Sequence, residues 1–310
     1  METALKESLS PFLPNTNIQF AWDSTSLEKL KRCPRLYFYE MICGYQPKDA
    51  NVHLRFGIEY HQALHDYELA KVAGKKHDDA MAEALLKLAK RIHDFNPTEE
   101  EDGKAAKNKN RETLFRTVIW YLDTFQNDPA ETLILDNGKP ALEVSFRFEL
   151  DNQPYMLCGH LDRIVTWQDN LFASDRKTTS YSLTPWWFNQ WEPNNQMTLY
   201  TLAGGIVLHS PIRGILIDAA QIKENETLFG RGVTYRSEGQ LEEWIKDLDH
   251  WFVNAKTYAM ANYWPMNDTA CDKYGGCKFR EVCNKAPHVR ERFLNANFVK
   301  GDIWNPLESR

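Results

Sequence analysis

Long apolar runs are missing from this chain of 310 residues. A membrane-spanning helix needs about eighteen or more consecutive apolar residues, and no stretch is that long, so we predict no membrane segment. The first residues, METALKESLSPFLPNTN, contain no apolar signal core. Export is therefore not expected, and we predict a cytoplasmic protein.

The sequence also lacks a nucleotide-binding motif and an excess of basic residues, and each absence limits the possible functions. The pattern Gly-x-x-x-x-Gly-Lys-Ser/Thr does not occur, which excludes a P-loop motor. Basic residues are not in excess, since 37 Lys and Arg accompany 43 Asp and Glu, giving a net charge of −6. A protein that merely coats nucleic acid is usually basic. An acidic balance still permits chemistry on nucleic acid, because catalytic metal ions supply their own positive charge.

Cysteine is sparse, yet four of the six cysteines form a pattern. The stretch CDKYGGCKFREVC places three of them at equal six-residue steps: Cys271, Cys277 and Cys283. Cys33, far upstream, can supply a fourth thiolate. Four thiolates suit either an iron–sulfur cluster or structural zinc, although the two-residue spacing of zinc knuckles is missing. Cys43 and Cys158 show no such pattern, and we interpret both as core residues.

A β-hairpin is predicted over residues 159–179, GHLDRIVTWQDNLFASDRKTT, where two apolar runs flank a turn-forming Asp-Asn pair. With that pair at the turn centre, Ile164 lies opposite Asp175 and Asp162 lies opposite Lys177. Side chains alternate faces along a strand, so two carboxylates and a lysine then share one face. A salt-bridged surface explains these charges, and so does a divalent-metal site with a lysine beside it.

The order of elements predicts an α/β fold. Helices are expected over 77–95 and 111–126, with a polar loop between them, and a mixed sheet follows with a helix inserted in it. We expect an irregular arm at 1–22, one domain at 23–290 with a helical insertion at about 75–127, and a tail at 291–310.

Three other groups of side chains have both a structural and a functional interpretation. His61 and His65 stand one helical turn apart, where either can pack or bind a metal. Gln196 and Tyr200 share one helical face. Their default interpretation is an exposed glutamine and a tyrosine packed in the core. The aromatic stretch TPWWFNQWEP is suited to packing or to stacking unpaired bases.

Taken in order, these residues resemble the PD-(D/E)XK nucleases. The resemblance rests on His61 after Gly57, Gly159-x-x-Asp162, Asp175-Arg176-Lys177 and Gln196-x-x-x-Tyr200, and it spans roughly residues 23–285. More narrowly, the chain is similar to the RecB-like exonuclease branch, and its cysteines resemble those of the iron–sulfur subset that acts in CRISPR adaptation and AddB-like break repair.

The resemblance implies a fold, a site and cofactors. The expected fold is a restriction-endonuclease-like core, a mixed central sheet flanked by helices, with a helical N-terminal part and a C-terminal iron–sulfur staple. The implied ligands of Mg²⁺ or Mn²⁺ are His61, Asp162, Asp175 and the carbonyl of Arg176. Lys177 is the implied catalytic lysine, assisted by both carboxylates, Gln196 and Tyr200. A [4Fe-4S] cluster, or alternatively zinc, is implied at Cys33, Cys271, Cys277 and Cys283.

The implied function is a metal-dependent DNA nuclease, an exonuclease acting on DNA ends or single strands in recombination, repair or processing. Because the chain contains no motor, it is expected either to work alone or to join partners such as a helicase or recombination protein. The expected setting is a bacterium, with the gene belonging to the bacterium or to a phage that infects it. Two rivals remain: an inactive iron–sulfur scaffold for DNA binding or assembly, and a redox sensor, which leaves the charged hairpin unexplained.

Overall fold

A computed structural model describes residues 10–48, 51–149, 155–273 and 276–308. The chain divides into two compact units. The terminal unit comprises Met1–Asp49, Ser145–His160 and Ser237–Arg310, and the central unit comprises Ala50–Val144 and Leu161–Arg236. No helix in the described part of the chain is long and apolar enough to cross a membrane. Gly275 of the cysteine-rich turn and residues 1–9 of the predicted arm lie outside the described residues.

Twelve α-helices occur in the described ranges: α1 (Ser24–Arg32), α2 (Pro34–Tyr37), α3 (Val52–Val72), α4 (His77–Arg91), α5 (Glu99–Asp102), α6 (Lys104–Asn108), α7 (Arg111–Thr124), α8 (Pro185–Asn189), α9 (Asn195–Leu208), α10 (Glu238–Met260), α11 (Arg280–Cys283) and α12 (Arg290–Asn297). The helices predicted over 77–95 and 111–126 are confirmed as α4 and α7. The loop predicted between them is wrong in part, because α5 and α6 form there.

The strands are β1 (Ala21–Trp22), β2 (Tyr45–Pro47), β3 (Glu131–Thr132), β4 (Leu142–Glu149), β5 (Met156–Trp167), β6 (Asn170–Thr179), β7 (Gly214–Ile222), β8 (Thr227–Thr234) and β9 (Phe298–Lys300). In the central unit, β5, β6, β7 and β8 are neighbours in that order. The pair β6–β7 is parallel, whereas β5–β6 and β7–β8 are antiparallel. Helices α3 and α9 contact this mixed sheet, so the predicted mixed α/β core is confirmed.

The predicted hairpin forms, but with a different register. Trp167 pairs with Asn170, and the two turn residues, Gln168 and Asp169, have positive φ angles of 50° and 59°. Ile164 consequently lies opposite Ala173, not opposite Asp175. The predicted register is therefore wrong by two residues, because the turn is centred one residue earlier than Asp169-Asn170. A two-residue shift leaves every side chain on its predicted face.

Ion pairs fill the face of the central sheet that carries Arg176. The register places Arg176, Asp218 and Arg231 side by side on β6, β7 and β8. Arg231 donates to both carboxylate oxygens of Asp128 at 2.7 Å and to Asp218 at 3.1 Å. Glu68 of α3 lies 3.5 Å from Arg176. Charged side chains are buried here, and each has a partner of opposite sign.

The terminal unit is held together by aromatic side chains. Trp22 stacks on Tyr37 with 5.6 Å between ring centroids, and it also contacts Phe252 of α10 at 5.1 Å. The first helix, α1, begins at Asp23, which forms a reciprocal capping box with Ser26. Helix α1 stops at Arg32 and α2 begins at Pro34, whose missing N–H is tolerated in the first turn of a helix.

Candidate active site

The strands β5 and β6 stop pairing where the two predicted carboxylates lie. Their ladder extends from the turn to Arg163, which pairs with Ser174. One residue farther along, the continued register puts Asp162 opposite Asp175. Here the backbone N–H of Arg176 donates to Oδ2 of Asp162 at 3.3 Å. The N–H and C=O groups of one strand residue point to the same side, so the Arg176 carbonyl points toward β5 as well.

Helix α3 brings a histidine to the first carboxylate. Nδ1 of His61 lies 3.2 Å from Oδ2 of Asp162. The helix passes close to β6 at Gly57, where an added Cβ would lie 3.7 Å from Oγ1 of Thr178. His65, one turn farther along α3, is half-buried, and burial lowers its pKa. Of the two candidate histidines, His61 is the one that contacts the site.

Lys177 links the second carboxylate to helix α9. Its Nζ lies 2.7 Å from Oδ2 of Asp175 and donates to Oε1 of Gln196 at 2.9 Å. The amide of Gln196 in turn donates to the hydroxyl oxygen of Tyr200 at 3.1 Å. The spacing of four residues places both side chains on the same face of α9. Lys177 is therefore held in one position from two sides, by a strand neighbour and by a helix.

One residue near Lys177 was not singled out by the sequence. The Nζ of Lys177 lies 5.2 Å from the centroid of the Trp191 ring, within the range of a cation–π interaction. Trp191 belongs to the stretch TPWWFNQWEP, for which packing and base stacking were both considered. Neither interpretation predicted a contact with the lysine. Fourteen residues separate the two, and no helical or strand periodicity relates them.

The two carboxylates differ in their tendency to hold a proton. Burial raises the pKa of Asp175 to about 6, and the nearby charge of Asp162 adds to this effect while Lys177 opposes it. Burial acts in the same direction on Asp162, but His61 and Lys177 together hold the pKa of Asp162 well below its usual range. Neighbouring carboxylates with separated pKa values are typical of catalytic sites.

A comparison with known protein families places the chain in one of them. A sequence model of the PD-(D/E)XK nuclease superfamily matches residues 22–284. The chain belongs to the PD-(D/E)XK nuclease superfamily. No curated protein matches the chain. A solved structure from Eubacterium rectale, provisionally named an exonuclease, is 11% identical with a TM-score of 0.48, covering 81% of this chain and 85% of that one. A second structure, of a protein called SSO0001, is 11% identical with a TM-score of 0.28, covering 73% and 74%.

A PD-(D/E)XK site implies a divalent metal, and the donor chemistry here fits one. Carboxylate oxygens suit Mg²⁺ and Mn²⁺, and Asp175 is a carboxylate with only 2% of its surface exposed. A cation would offset the cost of burying its charge. Among the described residues, no three His, Cys, Asp or Glu side chains already form a metal-binding group. The carboxylates are instead paired with His61 and Lys177.

The four patterned cysteines lie together in the terminal unit of this PD-(D/E)XK protein. Cys33, Cys271, Cys277 and Cys283 line one cavity of about 10 Å³. Sγ of Cys33 accepts a hydrogen bond from the N–H of Asn267 at 3.3 Å. All six cysteines are unpaired thiols, and Cys43 and Cys283 pack against the same apolar cluster as Cys33. Cys158 is fully buried, as expected for a core residue.

Proposed function

We propose that this chain is a metal-dependent deoxyribonuclease of the RecB-like exonuclease branch, acting on DNA ends or single strands. The observation that carries the proposal is the position of Asp162, Asp175 and Lys177, which lie on one face where β5 and β6 separate. The protein either works alone or, where DNA must first be unwound, joins a helicase or recombination protein, since this sequence contains no P-loop motif.

Each side chain has a role in this proposal. Asp162, Asp175, His61 and the carbonyl of Arg176 would hold Mg²⁺ or Mn²⁺, which polarises a phosphodiester and lowers the pKa of bound water. Lys177 orients the attacking water and offsets negative charge that develops on the phosphate. Gln196 accepts from Lys177 and thereby fixes the ammonium group, and Tyr200 supports Gln196.

A cleavage assay tests the proposed function. We expect the purified protein to degrade end-labelled single- and double-stranded DNA in Mg²⁺ or Mn²⁺, and to lose this activity in excess chelator. Progressive shortening from labelled ends distinguishes an exonuclease from an endonuclease, which would cut circular DNA. If neither DNA nor RNA is cut with either ion, the nuclease proposal is wrong and an inactive DNA-binding or assembly scaffold takes its place.

We also propose that the four cysteines bind a [4Fe-4S] cluster, with structural zinc as the alternative. The support is the cavity that all four line, where Cys33, between α1 and α2, lies with the three cysteines of the segment 271–283. Burial raises the pKa of the Cys283 thiol, and burial and neighbouring thiols raise the pKa of Cys271. Such thiols become ligands only when they release their protons to solvent as a metal binds. Because the ligands are assembled by the fold, metal binding would contribute directly to folding.

Replacing Cys33 by serine tests this second proposal. We expect the parent protein, purified without oxygen, to be brown with about four irons per chain, and Cys33→Ser to lose the iron and melt at a lower temperature. Cys43→Ala is the matched control, because Cys43 packs nearby without lining the cavity. One zinc and no iron in the parent would exclude the cluster and keep a metal staple, whereas no metal at all would exclude both.

A further inference from the structure

The segment 180–193 lies over the same face of the central sheet as Lys177. Across the sheet, Asp175 of β6 neighbours Ile217 of β7 and Gly232 of β8. In the next row on this face, Lys177 neighbours Ala219, which neighbours Gly230. Both rows of the candidate active site therefore end in a residue without a side chain, which leaves room above β8.

Two apolar side chains of this segment fill that room. A Cβ added at Gly232 would lie 2.4 Å from Cδ1 of Phe188, and one added at Gly230 would lie 3.1 Å from Cδ1 of Leu183. The N–H of Leu183 also donates to Oε1 of Gln221 on β7 at 3.1 Å. The segment is thus fixed to the sheet beside Lys177 by close packing and by a hydrogen bond from its backbone to the Gln221 side chain.

The three tryptophans of the segment have different environments. Trp187 is 5% exposed and lies 5.9 Å from Trp191, the ring that contacts Lys177. The carbonyl of Trp191 accepts from Nη2 of Arg236 at 2.8 Å. Trp186, next to Trp187 on α8, is 80% exposed, and Tyr181 is 77% exposed. The segment therefore presents two exposed aromatic rings, Trp186 on α8 and Tyr181 four residues after Lys177.

We infer that Trp186, with Tyr181, forms a stacking platform for unpaired nucleobases of the strand whose phosphate lies at Lys177. The inference rests on the proposed nuclease function and defines its substrate as nucleic acid with an unpaired stretch beside the scissile bond. Aromatic rings stack on any base without reading its sequence. Trp186 directly precedes Trp187 on α8, the ring of Trp187 contacts Trp191, and Trp191 contacts Lys177. In a blunt duplex the base faces are already stacked and unavailable.

Binding measurements on Trp186→Ala test the inference. In the full chain carrying Lys177→Ala to suppress cleavage, with Mg²⁺ present, we expect Trp186→Ala to weaken binding of short single-stranded DNA about tenfold. Affinity for a blunt-ended hairpin should stay the same, and Trp186→Phe should retain most of the single-strand affinity. A 2-aminopurine near the strand end should be quenched by the parent and not by Trp186→Ala.

Trp120→Ala is the matched control, since Trp120 is a partly exposed tryptophan on α7 of the same unit. It should leave binding and quenching unchanged. The inference is overturned if Trp186→Ala binds single strands as the parent does, or if it loses single-strand and hairpin affinity equally. The binding and cleavage results can be told apart. If the wild type cuts DNA but binding does not depend on Trp186, only the stacking platform is wrong. If binding depends on Trp186 but the wild type does not cut, only the nuclease function is wrong.

Discussion

Replacing Lys177 by alanine is expected to slow DNA cleavage at least about a hundredfold, the usual effect of removing a positioned acid–base or electrostatic group. Metal binding should survive, because a lysine is not a metal ligand in this site. DNA binding should weaken only slightly, because one phosphate contact is a small part of the electrostatic total. Single-turnover cleavage and a separate binding titration measure the two effects.

The conditions and control follow from the structure. Lys177 lowers the pKa of Asp175, so its removal raises that pKa further, and the assay should be run well above pH 6 to keep the carboxylate ionised. Lys223→Ala is the matched control, because Lys223 is an exposed lysine that pairs with Glu226 on the β7–β8 turn. If Lys177→Ala cuts as fast as the wild type, the face carrying Asp162 and Asp175 is not the active site.

The second large effect is expected from Arg231→Ala, which should reduce the free energy of unfolding by about 3–5 kcal/mol. Arg231 donates to both oxygens of Asp128 and to Asp218, whose side chain is 1% exposed. Burial alone would raise the pKa of Asp128, yet the hydrogen bonds from Arg231 lower it. Alanine therefore removes the main counter-charge from the buried Asp218 and the partly buried Asp128. Urea unfolding followed by circular dichroism measures the loss.

An exposed arginine of the same unit provides the comparison. Arg213 precedes β7 and contacts the ring of Tyr235 with its guanidinium 5.5 Å from the centroid. Arg213→Ala should cost less than about 1 kcal/mol, as is usual for surface charges. Equal losses in the two variants would show that the Arg231 pairs contribute nothing beyond an ordinary surface contact.

The hairpin shows how much of the site could be predicted from sequence. Alternation along β6 is a local property, so Asp175 and Lys177 share a face in any register. Placing Asp162 on that face depended on the turn, and the predicted turn was misplaced by one residue. The face was nevertheless right, because moving the turn centre by one residue shifts the pairing by two and preserves the alternation. Motif spacing also identified Gln196 and Tyr200, which α9 brings to the lysine.

The buried ion pairs and the role of Trp191 could not be predicted in this way. Arg176 and Arg231 come from different strands, and Asp128 comes from the segment before β3, so their meeting depends on strand order. A charged residue within a strand has the same local signature whether it faces solvent or a buried partner.

The two glycines of β8 beneath the segment 180–193 also bear on how this protein can change over evolution. Residues 180–193 join the end of β6 to the start of α9, and their anchoring includes Gly230 and Gly232, where the sheet offers space instead of particular side chains. A different connection of similar bulk can occupy that space without altering any group proposed to take part in hydrolysis. In the proposed nuclease, preference for one kind of DNA end over another can therefore diverge by exchange of this one segment, while the residues proposed for hydrolysis stay the same.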